Sequence, residues 1–299
     1  MAEQQTTADN AWSGPATVDG STGRVSLAIV FCLLSMTSVQ FGAAFSKPAI
    51  QELGAFGATW LRLSWAAAFL LVLVRPPFLS YTRSQWVSGI ALGATMAMMT
   101  LCFFAAIERI PLGLAVAIEF LGPLTVAAIL GGRGWRLLFP ALAAAGVLCL
   151  SWDGAAWVAD PRGLLFAFGA AIGWGGYIVL MKHAGQRFKG LEGLAVSLLF
   201  AAVFATPFGF HQAQSGFSAH MLLVTAGLAI LVPLLPYALE FLALRRLQPS
   251  AFGLLMSLEP AIGAGAGFVI LGQALALNQI FGVALVMIAS AAGTMFARR

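Results

Sequence analysis

Charge is the scarcest thing in this sequence. Only 9% of its 299 residues are Asp, Glu, Lys or Arg, where soluble globular chains carry about a quarter. With 60% hydrophobic residues, an ordinary soluble globule is excluded. Cysteine is sparse as well. Cys32, Cys102 and Cys149 share no paired spacing and have no histidine beside them, so they read as small buried hydrophobes, with no disulfide, metal site or redox centre expected. His183, His211 and His220 fall at helix ends or in loops, HExxH is missing, and no serine stands in a GxSxG turn. An enzyme is therefore not expected, nor is any cofactor. Long polar connections are lacking too, which leaves no room for a soluble domain, a nucleotide-binding cassette or a sensor module. The opening residues, MAEQQTTADNAWSGPATVDGSTG, lack the charged, then apolar, then small-residue order of a cleaved signal peptide. They read as a disordered cytoplasmic tail over 1–23.

What the chain does have is apolar runs of spanning length. They fall at 25–46, 56–74, 86–107, 111–130, 135–152, 163–181, 192–210, 221–244, 250–271 and 276–297. A helix needs about 20 such residues to cross about 30 Å of hydrocarbon. The expectation is an all-α membrane protein of ten transmembrane helices, the fifth barely long enough. Arg24, Arg75, Arg83, Arg133, Arg136, Lys182, Arg187, Lys189, Arg245, Arg246, Arg298 and Arg299 share one side if the N-terminus is inside, against Lys47, Arg109 and Arg162 on the other. Basic residues favour the cytoplasmic side, so both termini are expected there. The net charge of +5 reports topology, and no nucleic-acid partner is expected.

Sliding the second half onto the first by the spacing of Pro123 and Pro260 also superposes Phe104 on Phe241, Ala106 on Ala243, Arg109 on Arg246, Leu121 on Leu258 and Ala127 on Ala264. Five helices per half is an odd number, so the halves run in opposite directions. Inverted repeats, over 24–152 and 153–299, are a common plan of secondary transporters, whose substrate sits near the midplane at the repeat interface. Pro123 and Pro260 each remove one helical hydrogen bond, so both helices are expected to bend at matching depths and to act as hinges. Gly169, Gly173 and Gly176, and Gly263, Gly265 and Gly267, permit close helix approach.

Ionisable residues inside such runs are costly, by roughly 2.5 to 3.5 kcal/mol at a helix centre. Glu119 lies in PLGLAVAIEFLGPLTVAAIL and Glu259 in AFGLLMSLEPAIGAGAGFVIL. Glu240, in PYALEFLAL, stands about a turn from its helix end. Arg62 is the one cation within a span; it either snorkels to the interface or turns inward toward Glu119 and a substrate carboxylate. Trp174 and Tyr177, three apart, and Tyr237, three before Glu240, either line a cavity or pack. Gln40, with Ser35, Thr37 and Ser38, makes the middle of the first helix unusually polar. One Glu and one Arg together suit a zwitterionic amino acid, whereas phosphorylated sugars call for more cations and lipophilic cations for a carboxylate among aromatics. An acid left without a basic partner is suited to carry a proton, so coupling to protons is expected of such a site.

The blocks PLGLAVAIEFLGPL, LPYALEFLAL and FGLLMSLEPAIGA resemble the EamA branch of the drug/metabolite transporter superfamily, most of all its bacterial threonine and homoserine exporters. The likeness spans the chain after its tail, which is longer than the family pattern and carries no matching motif. The resemblance implies ten helices in two inverted repeats, an inner-membrane location and export of amino acids by alternating access. By motif it carries the family's carboxylates onto Glu119, Glu240 and Glu259. Efflux of hydrophobic or cationic toxic compounds is the alternative. The expected partners are a small-molecule substrate and the lipid bilayer; the residues name no protein partner.

Overall fold

The computed structural model describes residues 19–130, 134–152, 160–244 and 255–296. The expected tail therefore lies outside the described residues up to residue 18, as do Arg133, Arg245, Arg246, Arg298 and Arg299 and the start of the ninth apolar run. Within the described residues the chain is helical: α1 (Asp19–Phe45), α2 (Lys47–Val74), α3 (Arg83–Ile107), α4 (Leu112–Glu119), α5 (Leu121–Leu130), α6 (Leu138–Leu150), α7 (Pro161–Gly185), α8 (Glu192–Ala213), α9 (Ala219–Ala229), α10 (Leu235–Leu244), α11 (Glu259–Leu271) and α12 (Leu277–Phe296). Helices follow from the medium, since lipid offers backbone groups no partner and a helix satisfies them within one segment.

Eight described spans are long and apolar enough to cross a membrane, and two apolar stretches, Gly134–Leu150 and Glu259–Leu271, are shorter. The first of these is the run that the sequence makes shortest. Large apolar side chains face outward along the helices: Val72, Leu165, Ile172, Leu223 and Val269 are each more than 70% exposed, as side chains bathed in acyl chains are.

Four interruptions shape the bundle. Pro123 has no N–H for the carbonyl of Glu119, and the helix breaks at Phe120 between α4 and α5. Pro260 occupies the first turn of α11, where a missing N–H costs nothing, and the preceding Ser257 and Leu258 form a turn. Each break thus falls just before its proline, with Phe120 and Ser257 at equivalent places relative to Pro123 and Pro260. Between α9 and α10 the chain widens into a π-turn around Pro233. Inside α2, Gly54 leaves helical geometry with φ 73° and ψ 161°.

The helices pack in a defined set of pairs. α2 lies against α8, α3 against α7 and α8, α1 against α10 and α11, α4 against α11 and α7, α9 against α2, and α6 against α12. Glycines permit the tightest of these contacts. A Cβ on Gly146 would stand 2.7 Å from the Gly282 carbonyl oxygen, and one on Gly282 would stand 2.6 Å from that of Gly146. On α7, Gly169 and Gly173 admit Cys102 and Met99 of α3, while Gly263 and Gly267 of α11 admit Val116 and Gln273. Gly265 faces open space.

Candidate functional site

The polar face of α1 holds the site together. Ser35 Oγ donates to Glu240 Oε1 of α10 at 3.0 Å, and the Pro236 carbonyl lies 3.3 Å from the same hydroxyl. Ser38 Oγ donates to the Leu231 carbonyl at 2.8 Å, one of the groups freed by the π-turn. Gln40 Nε2 donates to Glu259 Oε1 of α11 at 3.1 Å. α1 therefore reaches two of the three deep carboxylates, through residues five positions and about 7.5 Å apart along its axis.

Glu119 completes the group from the last residue of α4, where it is half-buried. It lies within electrostatic reach of Glu259, and Glu259 within reach of Glu240. Glu259 is in the first turn of α11, where the helix dipole favours a negative charge. The aromatic wall is also assembled: the Tyr177 and Tyr237 rings are 5.9 Å apart, and Trp174 meets Phe120 edge-on at 5.5 Å. Tyr237 lies within reach of Glu240 and Glu119. Among the described residues the one ion pair is Arg109–Glu108 at 3.8 Å, so no lysine or arginine bridges these three acids.

Arg62 does turn inward, being 1% exposed, but Glu119 is not its partner. Its guanidinium lies 3.5 Å from the centre of the Phe104 ring, and its Nη1 donates to Ser46 Oγ at 2.8 Å. Ser46 in turn donates to the Gly42 carbonyl at 2.6 Å. Sixteen residues of straight helix would span about 24 Å, so the bond from Arg62 to Ser46 requires the break at Gly54. Beside it, Arg62 Nε and Thr59 Oγ1 are buried without a partner.

Sequence reasoning missed the amides that hold this frame. Gln212 Oε1 of α8 accepts from the Phe56 and Gly57 N–H groups at 2.8 and 3.1 Å, capping the helix that restarts after Gly54. Gln273 Oε1 accepts from Leu112 N at 3.1 Å and caps α4. Asn278 and Gln279 of α12 donate to the Cys149 and Leu150 carbonyls at the end of α6, at 3.0 and 3.1 Å. No local spacing marks these residues, because each partner is more than 120 positions away. Two cavities, of about 230 and 210 Å³, flank the end of α11; the first is lined by Lys47, Gln51 and Leu271 among others, the second by Gly113, Gln273 and Gln279 among others. The carboxylates line neither, and Gln40 and Glu259 are 1% and 6% exposed, so their pairing is shut from both.

A model of the EamA-like transporter family matches residues 161–294. The chain is 36% identical over 287 residues to the threonine/homoserine exporter RhtA of Salmonella typhimurium, covering 94% of this chain and 96% of that one. It belongs to the EamA-like transporter family. The exporter of the same name from Escherichia coli K12 is 35% identical over 278 residues, 91% of this chain and 93% of that one. A solved crystal structure shares the fold, with a TM-score of 0.58 at 22% identity over 95% of this chain and 99% of its own. An EamA-like chain is a multi-pass membrane transporter and not an enzyme.

Proposed function

We propose that this EamA-like chain is an inner-membrane secondary transporter that exports amino acids of the threonine and homoserine kind by alternating access. The observation that carries the reading is the set of three carboxylates, Glu119, Glu240 and Glu259, gathered in an apolar interior around hydrogen-bond donors of α1. Buried charge of one sign is stable there only when a cation or a proton joins it. Glu119 takes the ammonium or the proton, Arg62 with its free Nε takes the substrate carboxylate, and Trp174, Tyr177 and Tyr237 form the wall. Coupling to protons follows from the same lack of a basic partner.

The packing supports ten spans in two inverted repeats. Counting spans in chain order, with α4 and α5 as the fourth and α9 and α10 as the eighth, the second packs on the seventh, the fourth on the ninth and the fifth on the tenth. Each is the helix five places on. The other packings exchange in the same way: third with sixth matches eighth with first, third with seventh matches eighth with second, and first with ninth matches sixth with fourth. Such a pattern is what a two-fold relation between halves produces; ten spans put both termini on one side, and the bias of basic residues makes that side the cytoplasm. The breaks at Phe120 and before Pro260 are the hinges of the rocking motion.

One observation favours a second reading. Arg62 is held on Ser46 and Phe104, while the acids stand beside tyrosines, which is the chemistry of a lipophilic cation site. Counterflow of labelled threonine in proteoliposomes, against unlabelled amino acids and organic cations, separates the two. Competition by amino acids supports export of amino acids; competition by cations alone ends that reading. With an imposed pH gradient, Glu119→Gln tests coupling, and uphill transport that survives the substitution removes Glu119 from the proton path.

A further inference from the structure

The chemistry of Gln40 and Glu259 goes beyond a shared hydrogen bond. Gln40 donates through Nε2 to Glu259 Oε1, which fixes the orientation of its amide, since a reversed amide would set oxygen against oxygen. Two acceptors are left over. Gln40 Oε1 and Glu259 Oε2 are both buried and have no hydrogen-bond partner. An orphaned buried acceptor typically costs about 1 to 3 kcal/mol, so a site that holds two is built for donors from elsewhere.

The neighbouring chain does not supply them. Ser35 is committed to Glu240 and Pro236, Thr37 to the Leu33 carbonyl at 2.7 Å, Ser38 to Leu231, and Ser46 to Gly42. Arg62 turns its Nη1 to Ser46 and its face to Phe104, and neither orphaned oxygen receives a hydrogen bond from it. Gly263 keeps the approach open, because a Cβ there would stand 3.2 Å from Gln40 Oε1 and 2.9 Å from Val116 Cγ2.

The geometry points to a seat for a primary ammonium between Gln40 and Glu259, which reads the unmodified amine of the transported amino acid. This rests on the amino acid reading of the site. A primary ammonium carries three donors and a charge, so it satisfies both orphaned oxygens and neutralises the carboxylate. A proton on Glu259 Oε2 also serves both oxygens where it donates to Gln40 Oε1, so competition by the masked amine is what separates proton from ammonium. A water serves both but brings no charge. A quaternary ammonium brings charge and no donor, and an acylated amine brings one donor and no charge. Ser46 directly follows the last residue of α1 and stands six positions after Gln40, about 9 Å along the helix direction. An α-amino acid with one hydrogen bond of about 3 Å at each charged end covers that span, so Arg62 meets its carboxylate. Glu119 is then left for the proton.

The test is labelled-threonine counterflow by the full chain in proteoliposomes, with three unlabelled competitors: threonine, threoninol, which keeps the amine and lacks the carboxylate, and N-acetylthreonine, in which the amine is masked. In the wild type threoninol competes, and N-acetylthreonine is weaker than threonine by about a hundredfold or more. Gln40→Leu and Glu259→Gln each shrink that preference by about tenfold, a ratio that a loss of folded protein does not move. N-acetylthreonine competing within about threefold of threonine in the wild type overturns the seat, whatever the variants do. So does an unchanged ratio in variants that still transport. If labelled threonine shows no counterflow at all, the amino acid reading falls and the seat falls with it, an outcome distinct from both.

Discussion

Gln212 takes the space that a side chain at Gly54 would need. A Cβ on Gly54 would overlap the Gln212 carboxamide, and that carboxamide caps the restarted helix at Phe56 and Gly57. Gly54 also sits at φ 73° and ψ 161°, a region open essentially to glycine alone. Arg62 depends on both residues, since the break is what returns Ser46 to it.

Gly54→Ala should therefore lower stability by about 3 kcal/mol, from backbone strain and overlap together. Gln212→Ala should cost about 1 to 3 kcal/mol by orphaning two backbone donors. The double variant should lose less than the sum, because removing the amide removes the overlap. Thermal unfolding of the detergent-solubilised protein reads all three, and strict additivity would dissociate Gln212 from the break.

Arg62→Lys should raise the KM for threonine counterflow by about tenfold, since a lysine keeps the charge but loses the planar stack on Phe104 and the fork that reaches Ser46. Phe104→Leu should act in the same direction and more weakly. An Arg62→Lys protein with unaltered KM would show that the guanidinium has no part in holding the substrate.

Tyr81 lies outside the membrane spans and donates to Glu192 Oε2 at 3.2 Å, joining the segment before α3 to the start of α8. Burial, that hydrogen bond and the nearby carboxylate push its phenol up to about 12, above the roughly 10 of a free tyrosine. A raised folded value means that the folded state holds the proton more tightly. The contribution is complete below pH 10 and is lost as the pH climbs from there through about 12. Tyr81→Phe should cost about 1 kcal/mol at neutral pH and should flatten the stability profile across that alkaline window. Thermal midpoints at pH 8 and pH 11 check it; a variant as alkali-sensitive as the wild type would assign the loss to another group.

Gly282→Val should separate α6 from α12, because its side chain would meet the Gly146 carbonyl and Cys149. Overpacking of this kind costs about 1 to 3 kcal/mol. Gly265→Val, facing open space, should be nearly neutral, and the pair of thermal midpoints makes the comparison.

Reading the spans needed only length and apolarity, and the acids announced themselves by standing in apolar runs. Glu119, Glu240 and Glu259 could be singled out because a charge in hydrocarbon is anomalous wherever it lies. Their partners could not. Ser35 and Gln40 were visible as a polar stripe, yet which acid each would meet depends on how α10 and α11 lie against α1, some 200 residues away in sequence. Arg62 was legible as a cation within a span, but neither its inward turn nor its place beside Phe104 could be read, because the backbone break at Gly54 leaves the same trace in the sequence as any small residue in a packed helix. The prolines marked the neighbourhood of two breaks, which fall in the residues just before them. The glutamine caps were illegible for a simpler reason: a polar residue at a helix end is ordinary, and only its distant partner makes it structural.

The bonds from Asn278 and Gln279 to the end of α6 have a consequence in time. The Cys149 and Leu150 carbonyls are made 129 residues ahead of their donors. At about 5 to 20 residues per second that interval is about 6 to 26 seconds. During it the end of α6 waits without these donors, and α12 supplies them. A chain without α12 leaves the Cys149 and Leu150 carbonyls without these donors, so the end of α6 depends on a helix more than a hundred residues further on.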